Sequence, residues 1–280
     1  MDELNHLITT ISDKSAMQDL LNIQTQTINA VKKAAVFIQS EIGKINNNDI
    51  ETKSINSLVT YVDKNAEIIL VEELKKIITN ATFLTEENTI EQMQGEWQWI
   101  VDPLDGTTNF IHQIPVFGIS VALKHNDEIV IGVVYEVNNN ECFYASKNNG
   151  AFLNGNKIAV SETAALEDSL VATGFPYYDF SKAENYLNVL RFLMQNTRGI
   201  RRLGAASIDL CYVACGRFDA FFEYSLAPWD VAAGAFIVKE AGGYISDFSG
   251  SKNWLFGKEI IATNKNSSIE FKKTIINYFK

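Results

Sequence analysis

A nonpolar run, Trp99-Ile-Val, passes into Asp102-Pro-Leu-Asp105-Gly-Thr-Thr-Asn-Phe110, and no other stretch of the 280 residues restricts the fold so tightly. The run reads as a buried strand. Pro103 cannot donate to a sheet ladder and Gly106 admits backbone conformations that a Cβ resists, so the strand is expected to stop at Asp102. Two acids then stand at its mouth. Thr107-Thr108-Asn109 are residue types that open helices, which would leave the Gly106 and Thr107 amides at a helix N-terminus, where an anion is favoured. Carboxylates suited to a hard cation thus lie beside donors suited to a phosphate. A surface turn with two solvated acids is the competing reading of Asp-x-x-Asp, but it leaves the rest of the string up to Phe110 without a reason.

Either side of this stretch the patterning differs. Before it, Ala30, Val31, Ala34, Phe37, Ile38 and Ile42 recur at helical spacing within a region, residues 2 to 42, that reads as helices. Polar residues from Asn46 to Asn56 predict a mobile loop up to the apolar Leu58-Val-Thr-Tyr-Val62. Asp63 then opens an amphipathic helix carrying Ala66, Ile69, Leu70, Leu74, Ile77 and Ile78, where an acid ordinarily serves as a cap. After it, Phe117 to Leu123, Ile129 to Tyr135 and Cys142 to Ala145 are strand-like runs split by short polar turns, which predicts an antiparallel meander, extended by a hairpin through Ala151-Phe-Leu-Asn-Gly155. From Leu166 onward strands and helices alternate: strands at 170–174, 219–223, 243–246 and 260–262, with helices at 181–195, from Gly204, at 230–241 and near 267–279. An α+β half, about residues 1–160, is therefore expected before an α/β half, about 161–280. No Pro-, Gly- or Ser-rich linker parts them, so they are expected to form one compact unit, 1–280, with the site in the crevice between.

Composition excludes several functions. A formal net charge of −10 argues against a nucleic acid held through its phosphates, which draws on clustered Lys and Arg. The same charge suits an anionic substrate only if bound divalent cations reverse it locally. No apolar run reaches membrane-spanning length, and Met1-Asp2-Glu3-Leu4-Asn5 lacks the order of a signal peptide, so a cytoplasmic chain with no membrane partner is expected. Cys142, Cys211 and Cys215 form no Cys-x-x-Cys and read as small buried hydrophobes, the alternative being a redox pair of Cys211 and Cys215 one helical turn apart. The histidines, His6, His112 and His125, are scattered, and neither a nucleophile elbow nor a phosphate-binding Gly-Lys-Ser loop occurs. Arg201-Arg202, ahead of the helix at Gly204, could hold a second anionic group, although such pairs mostly face solvent.

Two strings together carry a family resemblance. The string from Asp102 to Phe110 resembles the first signature of the inositol monophosphatase family. Trp229-Asp230-Val-Ala-Ala-Gly234 through Glu240-Ala-Gly-Gly243 resembles the second, in the family's order and spacing. The likeness covers about residues 30 to 265. It implies a layered αβαβα sandwich of the sugar-phosphatase type, and a Mg2+-dependent, lithium-sensitive phosphoric monoester hydrolase. Such enzymes hydrolyse myo-inositol monophosphate to inositol and phosphate by direct attack of a metal-activated water, without a phosphoenzyme.

Carried over residue by residue, the resemblance assigns one metal to Glu86, Asp102 and the Leu104 carbonyl, and a second to Asp102, Asp105 and Asp230. A third, weaker metal would sit beside Glu86. Thr107 with Asp63 would orient the attacking water, with Glu86 completing the catalytic set. Asp105, Gly106, Thr107, Gly204, Ala205 and Ala206 would line the substrate pocket. Glu223 would accept hydrogen bonds from polyol hydroxyls, a task that suits an acceptor-only carboxylate. Glu87 and Lys53 would stand behind the ligands, Lys53 requiring a one-residue gap in the match. Thr85 stands where the family has glycine, and Ser57 where it has an acid. Each like-charged pair at about 4 Å costs on the order of 4 kcal/mol at an effective dielectric of about 20, so four carboxylates call for cations or protons. All-oxygen ligands without Cys or His select Mg2+, Mn2+ or Ca2+ over zinc, and phosphate chemistry favours Mg2+. The resemblance implies two or three Mg2+ per site, with Mn2+ as a substitute and Ca2+ and Li+ as inhibitors.

The resemblance also implies a homodimer and a small phosphorylated polyol or sugar as substrate. Fructose 1,6-bisphosphate, NADP and adenosine 3′,5′-bisphosphate are the alternatives. Thr108-Asn109-Phe110, where nucleotide-acting relatives tend to have Lys-Glu-Phe, and Glu223 favour inositol phosphate. A chain of another class, a regulatory binding protein with residual activity, is the remaining reading, because some bacterial relatives contact the transcription machinery. Its mark would be a lost metal ligand, and none is lost.

Overall fold

The computed structural model describes the backbone of residues 2–54, 57–177 and 179–279, and the side chains within those ranges except at 2–16, 47, 53, 54, 57 and 268. Helix α1 (Asp2–Glu41) is one unbroken helix that lays Ala30, Val31, Ala34 and Ile38 into the core. The polar stretch read as a loop holds a strand instead: β1 (Ile50–Ser54) pairs antiparallel with β2 (Ser57–Thr60). Backbone pairing with a neighbour, rather than burial of its polar side chains, makes that strand, so periodicity gave no sign of it. Thr60 then caps α2 (Tyr61–Ile77), accepting from the Val62 amide while Asp63 accepts from the Thr60 amide.

Seven strands build the first sheet: β3 (Thr82–Thr85), β4 (Trp97–Asp105), β5 (Gly118–His125), β6 (Glu128–Glu136), β7 (Glu141–Ser146), β8 (Gly150–Leu153) and β9 (Asn156–Ile158), paired in that order. β3 and β4 are parallel and every later pair is antiparallel, the expected meander. β4 does not stop at Asp102. It continues to Asp105 through an irregularity in its register with β5 between those two residues, where Pro103 sits. A bulge absorbs the missing donor that was expected to end the strand. Gly106 follows at φ 93°, a left-handed conformation that turns the chain into the short helix α3 (Thr107–Ile111).

The second sheet holds β10 (Leu170–Thr173), β11 (Gly199–Arg201), β12 (Ala220–Tyr224), β13 (Tyr244–Ser246) and β14 (Glu259–Thr263) in the order β11-β10-β12-β14-β13. The three strands β11, β10 and β12 run parallel, and β14 is antiparallel to both its neighbours. Between strands come α4 (Ala183–Asn196), α5 (Ala206–Ala214), α6 (Pro228–Glu240) and, last, α7 (Ser268–Phe279).

Three cores fix the layers. Trp99, Val101, Val121 and Val133 pack against α1 and α2; Ile100, Ala122 and Val134, on the opposite face of the same sheet, pack with α5, α6, Phe221 and Ile260; Phe222, Ile261 and Tyr224 pack with α4 and α7. The order is helices, sheet, helices, sheet, helices, a layered α/β sandwich. The two-residue period of a strand then sorts the acids. Asp102 has the parity of Ile100 and Glu223 that of Phe221, so both are set toward the middle layer of α5 and α6, and Glu86 follows the end of β3 alongside them.

Candidate functional site

At one end of that middle layer lies a cavity of about 710 Å3 lined by Glu86, Asp102, Leu104, Asp105, Thr107, Asp209, Glu223 and Asp230, together with Gly106, Gly204, Ala205 and Ala206. β4 brings Asp102 and Asp105. Asp230 comes from the first turn of α6, where its Oδ2 accepts from the Ala227 amide at 2.7 Å. Asp102 Oδ1 accepts from the Leu104 amide at 2.9 Å. Asp105 Oδ2 accepts from both the amide and the hydroxyl of Ser207, at 2.7 and 2.5 Å. One oxygen of each carboxylate is thus held by a donor, local for Asp102 and Asp230 and from α5 for Asp105, which fixes the group's orientation over the cavity.

Burial pushes all three upward in pKa. For Asp102 the charges of Glu86, Asp105 and Asp230 add to burial and carry it well above the usual carboxylate range. Asp230 rises for the same reasons, through burial, Asp105 and Glu86. Asp105 is pushed up to about 6 by burial, with the Ser207 donors opposing the rise. Without a compensating cation these acids keep their protons to higher pH than free carboxyl groups do.

The Thr107 hydroxyl donates within a small network, with Asp63 Oδ1 at 2.7 Å and the Leu104 carbonyl oxygen at 3.1 Å as its acceptors. Asp63 lies behind the cavity wall, its Oδ2 taking the amide and hydroxyl of Thr60, and burial raises it against the pull of these donors. Asn109 ties the turn to the second half, donating through Nδ2 to the carbonyls of Val116 and Leu203. Gly174 matters for space: a Cβ there would fall 2.1 Å from the Glu223 carboxylate.

Glu87 is not among the cavity-lining residues; its amide donates to Glu67 Oε2 at 2.8 Å. The side chain of Lys53 lies outside the described residues. The arginine pair splits. Arg202 lines the cavity, over the Phe175 ring at 5.3 Å and donating to the Tyr177 hydroxyl, while exposed Arg201 bonds the neighbouring Ile200 carbonyl. Adjacent residues of an extended segment point to opposite sides, so the pair cannot act as a unit. Burial raises the Cys142 thiol to about 11 and pushes Cys211 well up too, as expected for packed sulfur.

Sequence reasoning missed three residues. Glu67, fully buried in α2, accepts from the hydroxyls of Thr85 and Thr89 and the amides of Glu87 and Thr89. Ser207 holds Asp105. Asp209, 1% exposed in the mostly apolar α5, faces the cavity. An acid flanked by Ile208 and Leu210 was a legible signal for Asp209; Glu67 and Ser207 had none, because their partners are distant in sequence.

Among the described residues no three His, Cys, Asp or Glu side chains close into a ready-made ion cluster. The donor set still fits a hard divalent ion: buried, mutually repelling carboxylates and a carbonyl, with neither imidazole nor thiolate among the lining groups. No helix of the described residues is long and apolar enough to cross a membrane.

Comparison with known proteins agrees with this architecture. The model of the inositol monophosphatase family matches residues 19–279. A putative Nus factor SuhB of Neisseria meningitidis serogroup B is 42% identical over 247 residues, 88% of this chain and 95% of that one. An inositol-1-monophosphatase of Rhizobium meliloti is 41% identical over 261 residues, 93% and 97% of the two chains. The crystal structure of extragenic suppressor protein suhB from Bartonella henselae superposes with a TM-score of 0.86 at 38% identity, covering 91% of this chain and 98% of that one. On these matches, and on the strand, turn and helix starts that the two signatures build here, the chain belongs to the inositol monophosphatase family.

Proposed function

We propose that the chain is a Mg2+-dependent phosphomonoesterase acting on a phosphorylated polyol, myo-inositol monophosphate first. One observation carries the reading: Asp102 and Asp105 of the first sheet, Asp230 of α6 and Glu223 of the second sheet line a single cavity. Family membership supports the reaction class, and the family is generally Mg2+-dependent. Glu86, Asp102, Asp105, Asp230 and the Leu104 carbonyl would hold the cations, which supply Lewis acidity and neutralise the phosphate's charge. The chain's own residues do the rest. Asp63 takes the Thr107 hydroxyl proton in a hydrogen bond, which turns an oxygen lone pair of Thr107 outward to orient water for in-line attack. The turn at Gly106 presents backbone amides to the phosphate oxygens. Glu223 accepts hydroxyls of the leaving polyol, and Arg202 adds positive charge at the rim.

Phosphate release from myo-inositol 1-phosphate, measured with Mg2+ and then with added Li+, tests the proposal. Wild-type chain should be active and Li+-inhibited, and Asp102→Asn inactive with its fold intact; an active Asp102→Asn would overturn it. A second reading, that the chain also acts as a regulatory binding protein, is favoured by the Neisseria relative's name, a putative Nus factor. Complementation by Asp102→Asn of a strain lacking the gene separates the two, since a binding role survives the loss of that ligand.

A further inference from the structure

Helix α5 is apolar along nearly its whole length, with Ile208, Leu210, Cys211 and Val213 fully buried, yet Asp209 sits among them at 1% exposure. Its Oδ1 is buried with no hydrogen-bond partner. A carboxyl left in that condition costs stability and serves no packing purpose that Leu or Asn would not serve better. Its surroundings say what it faces. Asp209 lines the cavity with Glu223, Asp105 and Arg202, and it is near enough to Glu223 for its charge to be the second cause, after burial, of that group's altered ionisation. The same cavity is lined by the small side chains of Ala205 and Ala206, and Gly174 leaves the room that the Glu223 carboxylate takes. Glu223 and Asp209 reach this wall from different elements, β12 and α5.

We propose that Asp209 is a second hydroxyl-binding residue that works with Glu223, so that adjacent hydroxyls of the leaving polyol are each taken by one carboxyl group. The pair selects phosphates of vicinal polyols over phosphates of alcohols that carry no such hydroxyls. The proposal rests on the phosphomonoesterase reading. Its chemistry is that of unmade bonds. A substrate hydroxyl gives a donor to a carboxyl group one of whose oxygens the folded protein leaves unpaired, and a substrate lacking it leaves that group short of a donor in the complex.

The test compares kcat/KM for myo-inositol 1-phosphate with kcat/KM for p-nitrophenyl phosphate at saturating Mg2+, in wild type, Asp209→Asn and Asp209→Leu. The ratio of the two should fall about tenfold in Asp209→Leu, mainly through KM for the inositol ester, and by less in Asp209→Asn, which keeps an acceptor. Thermal midpoints should hold or rise in Asp209→Leu, because an unpaired buried carboxyl has been removed. An unchanged ratio with a lowered midpoint in both variants assigns Asp209 a structural role and overturns the proposal. Wild-type chain that hydrolyses neither ester overturns the phosphomonoesterase reading, and this proposal with it; hydrolysis of both with an unchanged ratio overturns this proposal alone.

Discussion

Ser207 donates both its amide and its hydroxyl to Oδ2 of Asp105, a residue 102 positions earlier in the chain. Helix α5 has no capping side chain of its own at Ala205, and Asp105 performs that service from the other sheet. Ser207→Ala keeps the amide bond and loses the hydroxyl. It should destabilise the fold by about 1–3 kcal/mol, as for a hydrogen bond to an ionisable partner, read from the chemical denaturation midpoint. An unchanged midpoint would mean that the amide alone holds the acid.

Ionisation of the same acid sets a pH dependence. Asp105 lies at about 6 in the folded chain against an ordinary 3.8, so the folded state holds its proton more tightly than the unfolded state. That contribution, about 3 kcal/mol at most, is complete below the ordinary value and is lost as pH rises through about 6. Asp102 and Asp230, shifted in the same direction, reinforce it. With chelator present, the thermal midpoint should therefore fall across this window, and less steeply in Asp105→Asn. Mg2+ should restore it by replacing protons with a cation. A midpoint that climbs with pH in chelator would contradict the assignment.

Gly174 leaves the volume that the Glu223 carboxylate occupies. In Gly174→Ala the new methyl, 2.1 Å from that carboxylate, forces the acid off its place. We expect KM for the inositol ester to rise about tenfold while p-nitrophenyl phosphate suffers less, because only the polyol uses Glu223. Steady-state kinetics on the two esters decides it.

Glu67 gathers the segment from Thr85 to Thr89 by accepting four hydrogen bonds, two of them from backbone amides. Glu67→Ala should cost about 2–4 kcal/mol of stability and raise the Mg2+ concentration needed for half-maximal activity, since Glu86 lies inside that segment. Activity against Mg2+ is the readout. Equal Mg2+ dependence in variant and wild type would confine Glu67 to stability.

How far these features could be read from the sequence depends on the range of the interaction involved. Period and turn chemistry are local, so the meander, the strand carrying Asp102 and the helix starting near Asp230 were legible. The end of β4 was not. Pro103 signals a break, and whether a break becomes a stop or a bulge depends on β5 alongside it. Thr85, a departure from the family's glycine, acquires its sense only from Glu67, which takes its hydroxyl at 2.9 Å across eighteen positions. The hairpin at Ile50 was invisible for the same reason, being polar and held by backbone pairing. Of the candidate site, the acids were visible as residue types in motifs, whereas Ser207, Glu67 and Asp209 depend on which elements the fold sets side by side.

The cavity draws its walls from opposite ends of synthesis. Glu86, Asp102 and Asp105 leave the ribosome when β3 and β4 are the only strands of the first sheet yet made, whereas the start of α5 and the first turn of α6, which brings Asp230, follow more than a hundred residues after β4 begins. A nascent chain therefore carries its acids for a long interval without the partners that cap and enclose them. Whatever chemistry the cavity performs waits for α6, because a chain cut short before Asp230 lacks one wall and one acid of the site.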